Sequence, residues 1–344
     1  MTSVRSGPVV CFGEVMLRFA TPAGRVIADA QSLDLTIGGA EANVGVALVA
    51  MGHQARFVSK VPANALGDKA RAALAGAGVE VQHFVRGAGE SGGRMGLYFL
   101  EVGGSLRPSA ITYDRAGSAF ATAKPEEFDF AAALDGASLF HISGITAALG
   151  PGGVELARAA IKAARAAGVP VSFDCNFREK LWGAWDSNPR EILLELLADA
   201  TIMFGNHRDM TLLLQKPFSG DGAERRREAV EAAFTTFPNL QVMASTARHP
   251  ITQTHHRLSA RVDLREDRHQ TTEIEITDIV DRVGSGDAFA AGVLTGWLEG
   301  GDARKMAELG LAMNALKHSL HGDWLRLPRS EVDNFTGNSG DVRR

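Results

Sequence analysis

Between residues 138 and 244 the chain alternates short apolar runs with longer helical stretches, and little else intervenes. The runs at 138–143, 169–174, 201–204 and 240–244 read as strands, and 153–167, 189–197 and 223–234 read as the helices between them. Strands joined by helices of this length pair in parallel, and a parallel sheet is covered on both faces. The fold class is therefore α/β: a mostly parallel central sheet flanked by helices on both faces.

The rest of the chain is arranged around that rhythm. Residues 9–12, bounded by Gly7-Pro8 and Gly13, make a first buried strand. Residues 17–37 contain Pro22 and Gly24 and suit short strands, not a helix. The stretch IGGAEANVGVALVAMG is a loop entering a helix that ends at Gly52; 54–61 is a strand, and 65–76 a helix stopped by Gly76 and Gly78. After the glycine-rich residues 87–93, residues 94–101 alternate as a strand does. Beyond Gly103-Gly104 the chain is extended again over 107–115, giving a hairpin inserted into the α/β domain. Residues 251–276 read as an antiparallel pair at the sheet edge, and 285–299 and 302–318 as helices. One domain over 1–330 is expected, with 331–344 a polar tail that frays.

At 344 residues the chain can form one large α/β domain with an insertion, and 45% hydrophobic and 22% charged residues suit a soluble globule. A net charge of −4 gives no case for a nucleic-acid partner, but leaves room for a small anionic substrate. No stretch approaches the ~20 apolar residues of a membrane span, and the N-terminus lacks an apolar core. No membrane partner and a cytoplasmic location are therefore expected. Cys11 and Cys175 lie in strand-like runs and read as reduced core thiols. His141, His249, His255, His256, His318 and His321 have no spacing that supports a metal site, and on a strand His255 and His256 point to opposite faces. The run RRRE at 225–228 reads as a solvated helix face.

Chemistry concentrates in DRVGSGDAFAAG. Gly284, Ser285 and Gly286 leave the backbone bare where a helix begins, and a helix N-terminus with free N–H groups binds anions. Asp287 falls in the first turn, placed to accept a proton from an incoming hydroxyl. Phosphoryl transfer needs both parts together. The ordinary alternative is a glycine turn with an N-capping Asp. No GxxxxGK[ST] loop occurs, and no GxGxxG follows the first strand.

GSGDAFAAG resembles the second fingerprint of ribokinase-like (PfkB-type) carbohydrate kinases, and Gly38, Gly39 and Asn43 in IGGAEANVGVAL match the first. The resemblance covers about 9–330 and implies a ribokinase-like sheet with a small β lid from about 15–37 and 92–115. It implies Asp287 as the base, Gly284, Ser285 and Gly286 as the anion hole, and Gly38, Gly39 and Asn43 at the substrate. ATP would contact Asn206, Ser245, Arg248, Gly284, Gly286 and Asn314, with Mg²⁺ held through phosphates and water. A monovalent cation is left open as a further cofactor. One departure is Asn206-His207-Arg208-Asp209, where many relatives carry Asn-x-x-Glu; Asp209 then serves Mg²⁺ through water, or Asn206 is a helix N-cap.

Tyr98, Tyr113 and Arg115, with Asp174, Asn176, Arg178 and Asp323, are most similar to the 2-keto-3-deoxygluconate kinase branch. Two arginines suit a carboxylate-bearing sugar acid. Fructokinase or another ketose kinase is the alternative, and an inactive sugar-sensing relative a further one. The resemblance also implies a lid-mediated dimer.

Overall fold

A computed structural model describes residues 6–87, 92–104, 106–220 and 222–335. The first segment carries β1 (Val9–Phe12), β2 (Met16–Ala20), β3 (Asp34–Gly38), α1 (Ala40–Ala50), β4 (Ala55–Val58), β5 (Lys60–Pro62), α2 (Ala65–Gly76) and β6 (Val85–Gly87). Next come β7 (Gly96–Glu101), β8 (Ala110–Asp114), α3 (Phe130–Leu134), β9 (Leu139–Ser143), α4 (Gly144–Ala148), α5 (Pro151–Ala166), β10 (Val171–Asp174), α6 (Glu179–Trp182) and α7 (Pro189–Leu197). Then follow β11 (Ile202–Phe204), α8 (His207–Leu214), α9 (Ala223–Thr236), β12 (Val242–Thr252), β13 (His255–Leu264), β14 (Arg268–Gln270) and β15 (Ile274–Ile276). Three helices close the chain: α10 (Ser285–Leu298), α11 (Ala303–Lys317) and α12 (Arg329–Asp333).

The central sheet runs β14-β13-β12-β11-β10-β9-β1-β4, with β15 also on β13. Every pair from β12 to β4 is parallel, and the β13 pairings are antiparallel. Successive strand residues divide between two cores. Val9, Cys11, Ile202 and Phe204 pack on the side of α1, α10 and α11. Val10, Phe12, Phe140 and Met203 pack on the other, against α5, α7 and α9. That is the double burial expected of parallel strands. Phe12 anchors the second core, with the rings of Phe120, Phe128 and Phe130 at 5.2–5.3 Å. Both cysteines are free and buried.

A separate sheet, β3-β2-β7-β8, joins two distant stretches of chain, because β2 pairs in parallel with β7. Side chains alternate across it, so Arg18, Tyr98 and Tyr113 share one face, and Phe19, Leu35 and Phe99 share the other.

The structure departs from the sequence reading in a few places. The strand expected over 54–61 is two, because β5 leaves the central sheet to pair with β6. β12 continues to Thr252 and forms the edge hairpin itself; Pro250 is tolerated where the register shifts, between Pro250 and Thr252. The stretch expected to fray from 331 begins as α12, with Val332 buried. The remainder of that tail, and the middle of the glycine-rich stretch before β7, lie outside the described residues.

Candidate active site

The site is built where α1 and α10 begin. Gly284 caps α10 at φ +83°, a left-handed conformation, and a Cβ there would lie 2.0 Å from the Asp323 carbonyl oxygen. Only glycine fits. No side chain caps this helix; the Ser285 N–H donates to the Arg282 carbonyl at 3.2 Å, and the Gly286 N–H stays available at the positive end of the dipole. A Cβ on Gly286 would meet open space. Gly39 opens α1 at φ +148°, and a Cβ there would come within 2.4 Å of the Glu14 carbonyl. α1 therefore starts close enough for the Asn43 Nδ2 to donate to Asp287 Oδ2 at 2.6 Å, across 244 residues of sequence. The same amide lies 3.4 Å from Asp323 Oδ2.

Burial pushes Asp287 up to about 7; the Asn43 hydrogen bond pulls down, Asp323 and Glu41 push further up, and Arg178 pulls down. Asp174, at the end of β10, is pushed up to about 8, first by burial and then by repulsion from Asp287, with Arg178 opposing and Asp209 adding to the rise. Burial also raises Asp209. Asp174, Asp209 and Asp287, which share the cleft with Asp323, thus stand under strain that a cation or a proton would relieve.

The small sheet forms one wall. Tyr98 OH lies 2.6 and 2.7 Å from the Asp323 carboxylate oxygens, and its ring is 5.7 Å from that of Tyr113. Arg18 reaches from β2 to Asp323 at 2.8 Å and to Asp281. Arg115 is buried, with Nε 2.8 Å and Nη2 2.5 Å from Glu14 Oε2, and Glu14 also accepts from Ser118. Arg178 differs. It is exposed, donates only to the Phe177 carbonyl at 3.3 Å, and has no carboxylate ion-pair partner among the described residues. Asn176 adopts φ +39° beside it, its N–H held by Asp174 at 3.0 Å.

On the opposite side, Asn206 and Asp209 form a capping box on α8: Asn206 Oδ1 accepts from Arg208 N at 2.8 Å, and Asp209 Oδ2 from Asn206 N at 2.7 Å. The helix-cap alternative for Asn206 is thus realised, and the Asp209 carboxylate still faces the cleft. Asn314 donates from α11 to the Ser285 carbonyl at 2.9 Å, and so holds the start of α10. The cleft encloses about 810 Å³. It is lined by every residue singled out from the sequence except Gly38 and Asn314, which stand directly behind its wall. At Gly38 a Cβ would come within 2.2 Å of Asp323 Oδ2.

The pfkB family carbohydrate kinase pattern matches residues 7–328. The chain belongs to that family. This carbohydrate kinase is 32% identical to 2-dehydro-3-deoxygalactonokinase of Haloferax volcanii, over 94% of this chain and 95% of the relative. The crystal structure of 2-dehydro-3-deoxygluconokinase from Thermotoga maritima is similar at TM-score 0.88 and 38% identity, covering 95% of this chain and 98% of that one. A PfkB family carbohydrate kinase from Listeria grayi also reaches 0.88, at 32% identity, covering 96% and 100%. The fold is ribokinase-like.

Sequence reasoning missed several members of the kinase site. Glu14, Arg18, Asp281 and Lys317 are buried charges around it. Arg18 carried a signal, being a charge inside the apolar strand MLRFA, and a buried charge needs a partner. Arg282 and His318 line the cleft. Arg282 stands two residues before Gly284, inside the motif already quoted, whereas nothing local marks His318, which the fold alone brings there.

Proposed function

We propose that this carbohydrate kinase transfers the terminal phosphoryl group of ATP to the end hydroxyl of 2-keto-3-deoxygluconate or a close sugar-acid analogue, with Asp287 as general base. The observation that carries the reading is the meeting of three features on one cleft: Asp287, the uncapped start of α10, and the unpaired Arg178. Asp287 takes the hydroxyl proton at its carboxylate, while the N–H groups of Gly284 and Gly286 face the charge that develops on the moving phosphoryl group. A group held up to about 7 is matched to proton transfer at neutral pH. Arg178 binds the substrate carboxylate through parallel N–H donors, which directs the far end of the sugar toward Asp287. Tyr98, held by Asp323, and Tyr113 close over the sugar from the small sheet, which acts as a lid. The adenosine side lies along Asn206, Ser245 and Arg248, and Asn314, behind the wall, supports it by holding the Ser285 carbonyl.

Mg²⁺ fits the donor set, because Asp174 and Asp209 are hard oxygen ligands whose raised affinity for protons a divalent ion would offset. Bound with the phosphates, it supplies neutralisation of their charge. The use of ATP fits work in the cytoplasm, and among the described residues no helix is long and apolar enough to cross a membrane.

A fructokinase activity is the second reading. Arg115 is already neutralised by Glu14, so the cleft offers a carboxylate one free guanidinium and not two. A coupled assay across 2-keto-3-deoxygluconate, its galactonate epimer, fructose and ribose separates the two. The keto acids should be preferred in kcat/KM by about tenfold or more over fructose, and a preference for fructose would reverse the assignment. In the same assay Asp287→Asn should bind ATP yet lose about two to four decades of kcat. Near-wild-type turnover by that variant would end the proposed mechanism.

A further inference from the structure

We propose that the Lys317 ammonium is a built-in cation that positions the anion-binding start of α10, so that phosphoryl transfer in this chain needs no dissolved monovalent ion. The inference rests on the kinase reading above. Lys317 is the last residue of α11, and its side chain is fully buried. Its Nζ lies 3.1 Å from the Asp281 carbonyl oxygen and 3.1 Å from that of Leu320. The first acceptor belongs to the segment that runs into α10. The second belongs to the loop that leads to Asp323.

These two pieces of backbone are tied along their length. Val280 N and Asp281 N donate to the His318 carbonyl at 2.9 and 3.3 Å, and Gly322 N donates to Asp281 Oδ2 at 3.1 Å. Asp281 Oδ1 turns back to accept from Val283 N at 3.0 Å. Carbonyl oxygens that converge in a dry interior repel one another and lack partners. A positive charge between them removes both costs, and an ammonium offers three donors for the purpose. The surroundings balance the charge: Arg18 and Lys317 face Asp281 and Asp323. Burial lowers the affinity of Lys317 for its proton, Asp281, Asp323 and Asp287 raise it, and Arg18 opposes them.

Lys317 does not line the cleft, so it touches neither sugar nor nucleotide. It is a positioning residue that acts through the Gly284 to Gly286 backbone.

The test begins with the wild-type enzyme, assayed with saturating sugar acid in potassium, sodium or tetramethylammonium chloride at matched ionic strength. Turnover should be equal within about twofold across the three. Dependence on potassium in an active wild type overturns the assignment outright and leaves the kinase reading intact. An inactive wild type defeats the kinase reading, and this inference with it. Lys317→Met, which fills most of the space and removes the charge, should lose about ten- to a hundredfold in kcat with little change in KM. Lys317→Ala empties the space instead, and there ammonium or potassium should restore part of the lost turnover, while tetramethylammonium should not. Independently of activity, the thermal midpoint of Lys317→Ala should rise on exchanging tetramethylammonium for ammonium, whereas that of the wild type should not. A folded Lys317→Met with wild-type kcat, or a folded Lys317→Ala whose midpoint and turnover ignore the small cations, removes the proposal.

Discussion

The Asn43 amide donates to the carboxylate form of Asp287, so it favours ionisation against the burial that opposes it. The sign of its removal follows. Asn43→Ala takes away a group that lowers the Asp287 pKa, so the value rises from about 7 and more of the base is protonated at neutral pH. The acid limb of kcat/KM should therefore begin near pH 7 in the wild type and move to higher pH in the variant. A limb that stays in place, or moves down, shows that another group sets it. The two arginines expected at the substrate should also part company. Arg115→Ala leaves the buried Glu14 carboxylate without its cation, which costs about 3–5 kcal/mol of stability. Arg178→Ala breaks no ion pair and should leave the thermal midpoint alone, while raising KM for a keto acid by about one to two decades. Thermal melts beside kinetics on an acid and a neutral sugar distinguish the two, and equal losses on both sugars for Arg178→Ala count against carboxylate recognition. At this scale the sequence was legible where a motif gathers its own residues, as in Gly284 to Asp287. It was not legible where function depends on which partner a side chain finds, and nothing near Arg115 in sequence points to Glu14.

Helix starts show how an element can be built for stability or for binding. In α2, α7 and α11 the caps Asn64, Asn188 and Asp302 accept backbone N–H groups with their side chains. The first turn of each is satisfied within the protein. α1 and α10 begin instead at Gly39 and Gly284, with no side-chain cap, and both start at the cleft, which α8 also faces with its Asn206 cap in place. Asn64→Ala should cost about 0.5–2 kcal/mol in a denaturant melt and leave kcat unchanged. Gly284→Ala should lose both, because a left-handed non-glycine residue costs about 1–3 kcal/mol and the new Cβ would displace the Asp323 carbonyl. An active Gly284→Ala would mean that this backbone need not be where the structure holds it. The same signals explain what was readable: α2 and α7 run over the residues expected because their caps and stops are local. The short α3, α4 and α6 escaped because a single turn has no periodicity, and their apolar residues are drawn in by the core.

The two larger sheets of the molecule differ in exposure. The central sheet is covered on both sides, whereas β8 is exposed along its entire length and forms an open edge of the small sheet. On the face of that sheet turned away from Tyr98, Phe19 and Phe99 stack at 5.4 Å, with Leu35 paired to Phe19 and 36% exposed. Phe19 also packs against the core beneath α1 and α10, so it is the free edge of β8 and the exposed part of Leu35 that are poorly protected in water. We infer that a second copy covers it, pairing small sheet with small sheet in a lid-mediated dimer. Tyr98 and Tyr113 sit on the opposite face of the same strands, so holding the sheet would also hold the sugar-facing wall. Leu35→Glu tests both parts, since its side chain is already exposed and a charge there should not unfold the chain. Light scattering should give a dimer for the wild type and half that mass for the variant at equal concentration, with the thermal midpoint of the α/β body little changed. KM for the sugar should rise several-fold in the variant, while KM for ATP should hold. A wild type that is monomeric at every concentration and fully active would show that the small sheet closes over the sugar without a partner.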